Sequence, residues 1–126
     1  MGFFSKNKFK LFSLTVHGGS GDDYLVGWHP LKNKLYGHGG DDTLIAFGIK
    51  NYLYGGAGDD KLMAFGIRNK LYGGSGDDYL FATGISNYLD GGSGDDVLMS
   101  FGVINKLYGG TGDDYLFAAG VVNTLD

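Results

Sequence analysis

The chain has no cysteine, no glutamate and a single proline, Pro30. The lack of thiols excludes disulfides and thiolate metal centres, and leaves the compartment undecided. Without glutamate, and with its three histidines (His17, His29, His38) confined to the N-terminal part, the chain offers no nucleophile–base set. We therefore expect no enzyme. A zinc site built from those histidines with an aspartate is a minor alternative by ligand type. No apolar run approaches the roughly 18 residues of a membrane helix. Ten Lys and Arg against 14 acidic residues disfavour a nucleic-acid partner.

Glycine is abundant instead, with 25 of 126 residues against an average usage of about 7%. Its placement is periodic. Gly-Gly-x-Gly-Asp-Asp-x-Leu recurs at Gly18, Gly55, Gly73, Gly91 and Gly109, with the variant Gly37-His38-Gly39-Gly40-Asp41-Asp42 between the first two. Units 18–36, 37–54, 55–72, 73–90, 91–108 and 109–126 follow, the first of 19 residues and the others of 18. Twelve of the 14 acids are the paired Asp of these turns. Carboxylates concentrated in Gly-rich corners point to hard-cation chemistry. A second period of 36 residues relates 55–72 to 91–108 and 73–90 to 109–126, a sign of duplication in which the sequence shows no chemistry.

From Gly37 each unit divides into two nine-residue halves, each a six-residue turn and a short strand centred on Leu. The first halves place Leu25, Leu44, Leu62, Leu80, Leu98 and Leu116 in series, and the second halves Leu35, Leu53, Leu71, Leu89, Leu107 and Leu125. Because side chains alternate across a strand, all twelve face one way, inward. The expected fold is all-β, a right-handed parallel β-roll (β-solenoid) with about 18 residues and two short strands per turn. Six turns span 18–126. Residues 1–17 form an N-terminal cap or leader, with a strand from Lys10 to Val16, since an end turn otherwise leaves core and backbone exposed. The interrupted apolar pattern there argues against a signal peptide, and its strand-like alternation gives membrane contact little support. The extra residue of the first unit is expected as a bulge near Trp28-His29-Pro30. The second-half turns lack acids; Phe, Ile and the aligned Asn33, Asn51, Asn69, Asn87, Asn105 and Asn123 should make that edge dry.

The first halves match Gly-Gly-x-Gly-x-Asp-x-U-x, where U is a large apolar residue. In this the chain resembles the RTX (repeats-in-toxin) calcium-binding nonapeptide repeat proteins, and its 18-residue spacing is similar to that of the multifunctional autoprocessing RTX toxins. Five loops match fully; the second departs at His38. The resemblance implies Ca²⁺ between stacked loops, with Asp23, Asp42, Asp60, Asp78, Asp96 and Asp114 as carboxylate donors. Carbonyl or secondary donors would come from Gly18, Ser20 and Asp22; Gly37, Gly39 and Asp41; Gly55, Ala57 and Asp59; Gly73, Ser75 and Asp77; Gly91, Ser93 and Asp95; Gly109, Thr111 and Asp113. The fifth-position Asp is read as a solvated charge or carbonyl donor in preference to a direct carboxylate ligand. Six stacked loops enclose about five inter-loop sites. The resemblance further implies a secreted bacterial toxin or exoprotein exported by type I secretion, folding on calcium outside the cell. Disorder, the ordinary reading of a Gly-rich chain, conflicts with 43% hydrophobic residues in strict period once metal is bound.

Two outward columns are unusually apolar: Val26, Ile45, Met63, Phe81, Met99 and Phe117 on one sheet, and Tyr36, Tyr54, Tyr72 and Tyr108 on the other. Cross-strand stacking explains them. The alternative is docking of a neighbouring domain or a second copy, or a calcium-dependent adhesion, ligand- or ice-binding face. Thr43, Thr83, Thr111 and Thr124 form none of the regular rows usual on ice-binding faces.

Overall fold

The structure is a computed structural model describing residues 8–9 and 14–126. Its described residues contain strands and no helix. The larger sheet holds β1 (Lys8–Phe9), β2 (Leu14–His17), β4 (Lys32–His38), β6 (Lys50–Ala57), β8 (Arg68–Ser75), β10 (Ser86–Ser93), β12 (Ile104–Tyr108) and β14 (Val122–Leu125), in that order. The smaller holds β3 (Tyr24–Gly27), β5 (Thr43–Phe47), β7 (Lys61–Phe65), β9 (Tyr79–Thr83), β11 (Val97–Phe101) and β13 (Tyr115–Ala119). The chain passes from one sheet to the other at every turn, so each strand lands on its own copy in the turn before. All pairings are parallel except that of β1 with β2. This is the expected β-solenoid of about six turns.

Register follows the repeat. Leu44, Leu62, Leu80, Leu98 and Leu116 pair in sequence across the smaller sheet. Leu35, Leu53, Leu71, Leu89, Leu107 and Leu125 do so across the larger. Every one of these leucines up to Leu107, and Leu25 with them, is fully buried. Between the leucine columns Ala46, Ala64, Ala82 and Ser100 leave room for a core only two side chains thick. Leu14 and Val16 of β2 extend that core below the first turn. Of the strand expected from Lys10 to Val16, Leu14–His17 is observed and Lys10–Ser13 lies outside the described residues, as do Met1–Asn7.

Several features differ from the half-repeat picture. β6, β8 and β10 are each eight residues long and run on past Leu into the Gly-Gly corner, because the backbone there stays paired, Gly56 with Gly74 and Gly74 with Gly92. The extra residue lies between Gly27 and Lys32, where the pairing offset changes from 19 to 18. On that edge the asparagines form a buried ladder, each Nδ2 donating to the next Oδ1 at 2.8–3.0 Å. The same Nδ2 groups donate to loop carbonyls such as Phe47 and Thr83, both at 3.0 Å. Phe47, Ile49, Ile67 and Ile85 are exposed. The dry element of this edge is therefore the Asn ladder alone, since the Phe and Ile side chains face outward.

The outward aromatic columns stack along the sheets. Tyr36, Tyr54 and Tyr72 lie nearly parallel at 4.8 and 5.2 Å, and Phe81 tilts against Phe65 and Phe101 at 5.9 and 5.8 Å. Burial separates the two kinds of apolar residue energetically. Leu80→Ala should destabilise the folded solenoid by about 2–5 kcal/mol, because it opens a cavity in a core with no spare layer. Ile85→Ala, at a half-exposed site, should cost no more than about 0.5 kcal/mol. Denaturant unfolding of the two variants checks the contrast.

Candidate metal centre

From the third loop on, the acidic edge is built on second- and fourth-position glycines that no other residue replaces without strain. Gly74 and Gly76, the second and fourth positions of the fourth loop, have φ of 100° and 106°. A Cβ on Gly76 would also run into the carbonyl of Gly58 in the preceding turn. His38 takes the second position of its loop at φ 76°, the one non-glycine with positive φ among the described residues.

Two aspartate ladders run along this edge in opposite senses. In the exposed ladder, the fifth-position Asp lends Oδ1 to the backbone N–H of its counterpart in the next turn, as Asp59 does for Asp77 at 2.8 Å. Asp22, Asp41, Asp77 and Asp95 repeat the bond at 2.7–2.8 Å. In the inner ladder, the sixth-position Asp lends Oδ1 to the preceding turn, as Asp78 does for the Asp60 N–H at 2.8 Å. Asp42, Asp60, Asp96 and Asp114 do likewise at 2.8–2.9 Å.

The inner Oδ2 atoms are a different matter. Asp42, Asp60, Asp78 and Asp96 are buried, and their Oδ2 atoms have no hydrogen-bond partner. Each faces a hollow at the first Gly of its own loop. A Cβ on Gly73 would sit 2.5 Å from Asp78 Oδ2 and 2.7 Å from the carbonyl oxygen of Gly91, one turn on. The same pair of oxygens converges at Gly37 (Asp42, Gly55), Gly55 (Asp60, Gly73) and Gly91 (Asp96, Gly109). At Gly18, Asp23 Oδ2 meets the Gly37 carbonyl, but there the Gly19 N–H also donates to Oδ2 at 2.6 Å. At Gly109 the three nearest atoms all belong to Asp114. An anionic oxygen and a carbonyl oxygen facing one hollow without a donor is an arrangement that a hard cation would complete. Among the described residues no three carboxylate or imidazole side chains converge on one point. An ion here would therefore draw most of its oxygens from backbone carbonyls. The chemistry of the donor set fits Ca²⁺.

Burial raises the carboxyls of Asp42 and Asp96 to about 6, Asp60 to about 7 and Asp78 to about 8, with neighbouring carboxylates adding to the effect. The hydrogen bond from the preceding turn's backbone pulls the other way without cancelling it.

All six sixth-position Asp thus stand at first-position hollows, five of them buried and Asp114 half-buried. The fifth-position Asp are exposed and engaged with backbone. The third-position side chains Ser20, Ala57, Ser75, Ser93 and Thr111 are exposed, away from the hollows. The histidines do not form one site. His17 Nδ1 and His38 Nε2 are 2.9 Å apart on this edge, whereas His29 is buried at the opposite one. There its backbone N–H donates to Asn33 Oδ1 at 2.8 Å, closing the Asn ladder. Sequence reading missed this role; its one signal was a lone His beside the extra residue.

A comparison with protein families matches the RTX calcium-binding nonapeptide repeat (4 copies) at residues 15–28, 32–46, 50–64, 68–84, 72–100 and 104–125. No curated protein and no solved structure matches the chain.

The raised carboxyls set the pH response. In the unfolded chain these groups titrate near 4, so between about pH 4 and pH 8 the folded, metal-free chain holds protons that the unfolded chain has lost. Its stability should rise as pH falls through that window, with the penalty complete above pH 8. With calcium the trend reverses, because protons compete for the same oxygens, and the calcium midpoint should climb as pH drops from 8 to 5. Circular dichroism in chelator and in calcium at several pH values tests both slopes. Parallel slopes would contradict this account.

Proposed function

The chain belongs to the RTX calcium-binding nonapeptide repeat family, and from that premise we propose that it is a calcium-triggered folding module of a secreted bacterial toxin or exoprotein. One observation carries the reading: the column of buried Asp Oδ2 atoms, each facing a carbonyl of the next turn without a donor. Asp42, Asp60, Asp78 and Asp96 would hold the ions with the first-position carbonyls of Gly55, Gly73, Gly91 and Gly109, and Asp23 with Gly37 would supply a fifth site. Bound calcium supplies positive charge where two turns present only oxygen. The chain's own part is to align the hollows, exclude water with its leucine core and anchor each Oδ1 on a backbone N–H.

Magnitudes make the ion decisive. Unit charges about 4.8 Å apart repel by about 0.9 kcal/mol at ε ≈ 80 and about 3.5 at ε ≈ 20. A site filled at ten times its Kd adds about 1.4 kcal/mol, hence about 7 for five. Domain stability is typically only about 5–15 kcal/mol. Five ions would carry the formal charge from −4 to −4 + 10 = +6. In a low-calcium cytosol the chain would stay unfolded and fit for type I export; outside, calcium would fold it. The role is structural and regulatory, with no catalytic step.

Titrating calcium while following circular dichroism and mass tests the coupling. Above about pH 8, where the carboxylate penalty is complete, the expected outcome is a disordered chain in excess chelator and a β-rich one in millimolar calcium, with several ions bound. Asp78→Asn keeps an Oδ1 acceptor for the Asp60 N–H but removes the charge, and should move the folding midpoint to higher calcium. An unchanged sheet signal in chelator would sink the proposal.

A further inference from the structure

Charge is segregated in this molecule. Twelve carboxylates occupy the metal edge, whereas six of the seven Lys and Arg beyond residue 14 lie on strands of the larger sheet, with Lys61 the exception. Their order is regular. Parallel pairing puts Lys34, Tyr52, Lys70, Tyr88 and Lys106 in one column, so that an ammonium recurs on every second turn with a phenol between. Beside it runs Lys32, Lys50, Arg68 and Ser86. The 36-residue period of the sequence is what produces the alternation. In the middle of this face Tyr52, Arg68, Lys70, Ser86 and Tyr88 line a groove of about 480 Å³ together with the exposed Ile67, Ile85 and Ile104.

We propose that this groove and the columns running through it bind a linear acidic polysaccharide, one carrying a carboxylate on every second sugar. Two turns of parallel sheet rise about 9.6 Å, a length comparable with a disaccharide, so successive carboxylates meet Lys34, Lys70 and Lys106 in turn. Arg68 supplies a fork suited to carboxylate at the groove, and the Tyr52, Tyr88 and Ser86 hydroxyls face the sugar hydroxyls between. Charge complementarity selects an anionic partner, since Asp90 is the one carboxylate within the strands of this sheet. Ring geometry selects against nucleobases, which need free aromatic faces. Tyr36, Tyr54 and Tyr72 cover one another within 4° of parallel, and Tyr52 has Lys32 Nζ and Lys70 Nζ at 5.7 and 5.9 Å from its ring centre. A single line of cations along the solenoid axis matches a chain-like ligand better than a planar lipid surface.

The proposal rests on the calcium-folded solenoid, because the columns exist only when the turns are stacked. The test is calorimetric titration of the calcium-loaded protein with a hyaluronan octasaccharide, with circular dichroism on the same sample. Binding that weakens with added salt is expected, with no binding of neutral dextran. Arg68→Gln with Lys70→Gln should weaken it by about tenfold or more, the scale of lost charge-assisted hydrogen bonds, with the sheet signal intact. Lys61→Gln, on the other sheet, should leave affinity unchanged. A full sheet signal without hyaluronan binding overturns the site alone. Equal losses in the two variants, or equally tight binding of a single-stranded oligonucleotide or anionic vesicles, overturn it too. A protein that shows no sheet signal in calcium overturns the folding module and this site together.

Discussion

One arrangement organises the structure: a buried carboxylate oxygen with no hydrogen-bond partner, brought to the same glycine as the carbonyl oxygen of the following turn. Two acceptors repel, and burial strengthens the repulsion. The chain holds them together by making everything around them favourable. Each carboxylate spends its other oxygen on a backbone N–H, each loop is shaped by glycines, and each turn sets two leucines into the core. What the polypeptide cannot supply at that point is positive charge.

The two edges of the solenoid show why one is complete in itself and the other is not. Both stack a short side chain on its own copy every turn. Asparagine carries a donor and an acceptor, so a column of Asn closes on itself, Nδ2 to Oδ1, with carbonyls served along the way. Ionised aspartate carries acceptors only, so a column of Asp can bond backbone N–H groups but never its own kind. The difference between a column that completes itself and one that lacks a donor is NH₂ against O⁻. The stretch around His29 fits the same logic, since the first Asn of the ladder has no Asn before it and takes a backbone N–H instead.

Much of this was legible in the residues. Twelve leucines at a strict spacing specify two strands per turn and an inward face, and the paired Asp specify which edge is acidic. Different roles for the two Asp of each pair were expected only from the resemblance to the RTX repeat. The sequence could not show that the fifth lends its oxygen to the next turn and the sixth to the preceding one, because neighbours in a turn differ only in which way the backbone aims them. Nor could it show that Phe47 and Ile67 face outward, for a turn of apolar residues reads the same whether it covers a core or borders a groove. The Lys–Tyr alternation was present in the text of the repeat, yet it became a surface only when register set Lys34, Tyr52 and Lys70 side by side.

The column is not uniform. Asp23 has a donor for its second oxygen in the Gly19 N–H, and Asp114 is only half-buried. Between them the electrostatic burden grows inward: burial and neighbouring carboxylates lift Asp42 and Asp96 to about 6, Asp60 to about 7 and Asp78 to about 8. The turns with most to gain from an ion are therefore those flanked by turns on both sides. An ion held at one turn would help order its neighbour as well, since the same backbone contributes to both. In a quasi-one-dimensional array, stability passes between nearest neighbours. The first turn, already seated on β2 and satisfied by an internal donor, has the least unmet charge, and the central aspartates have the most.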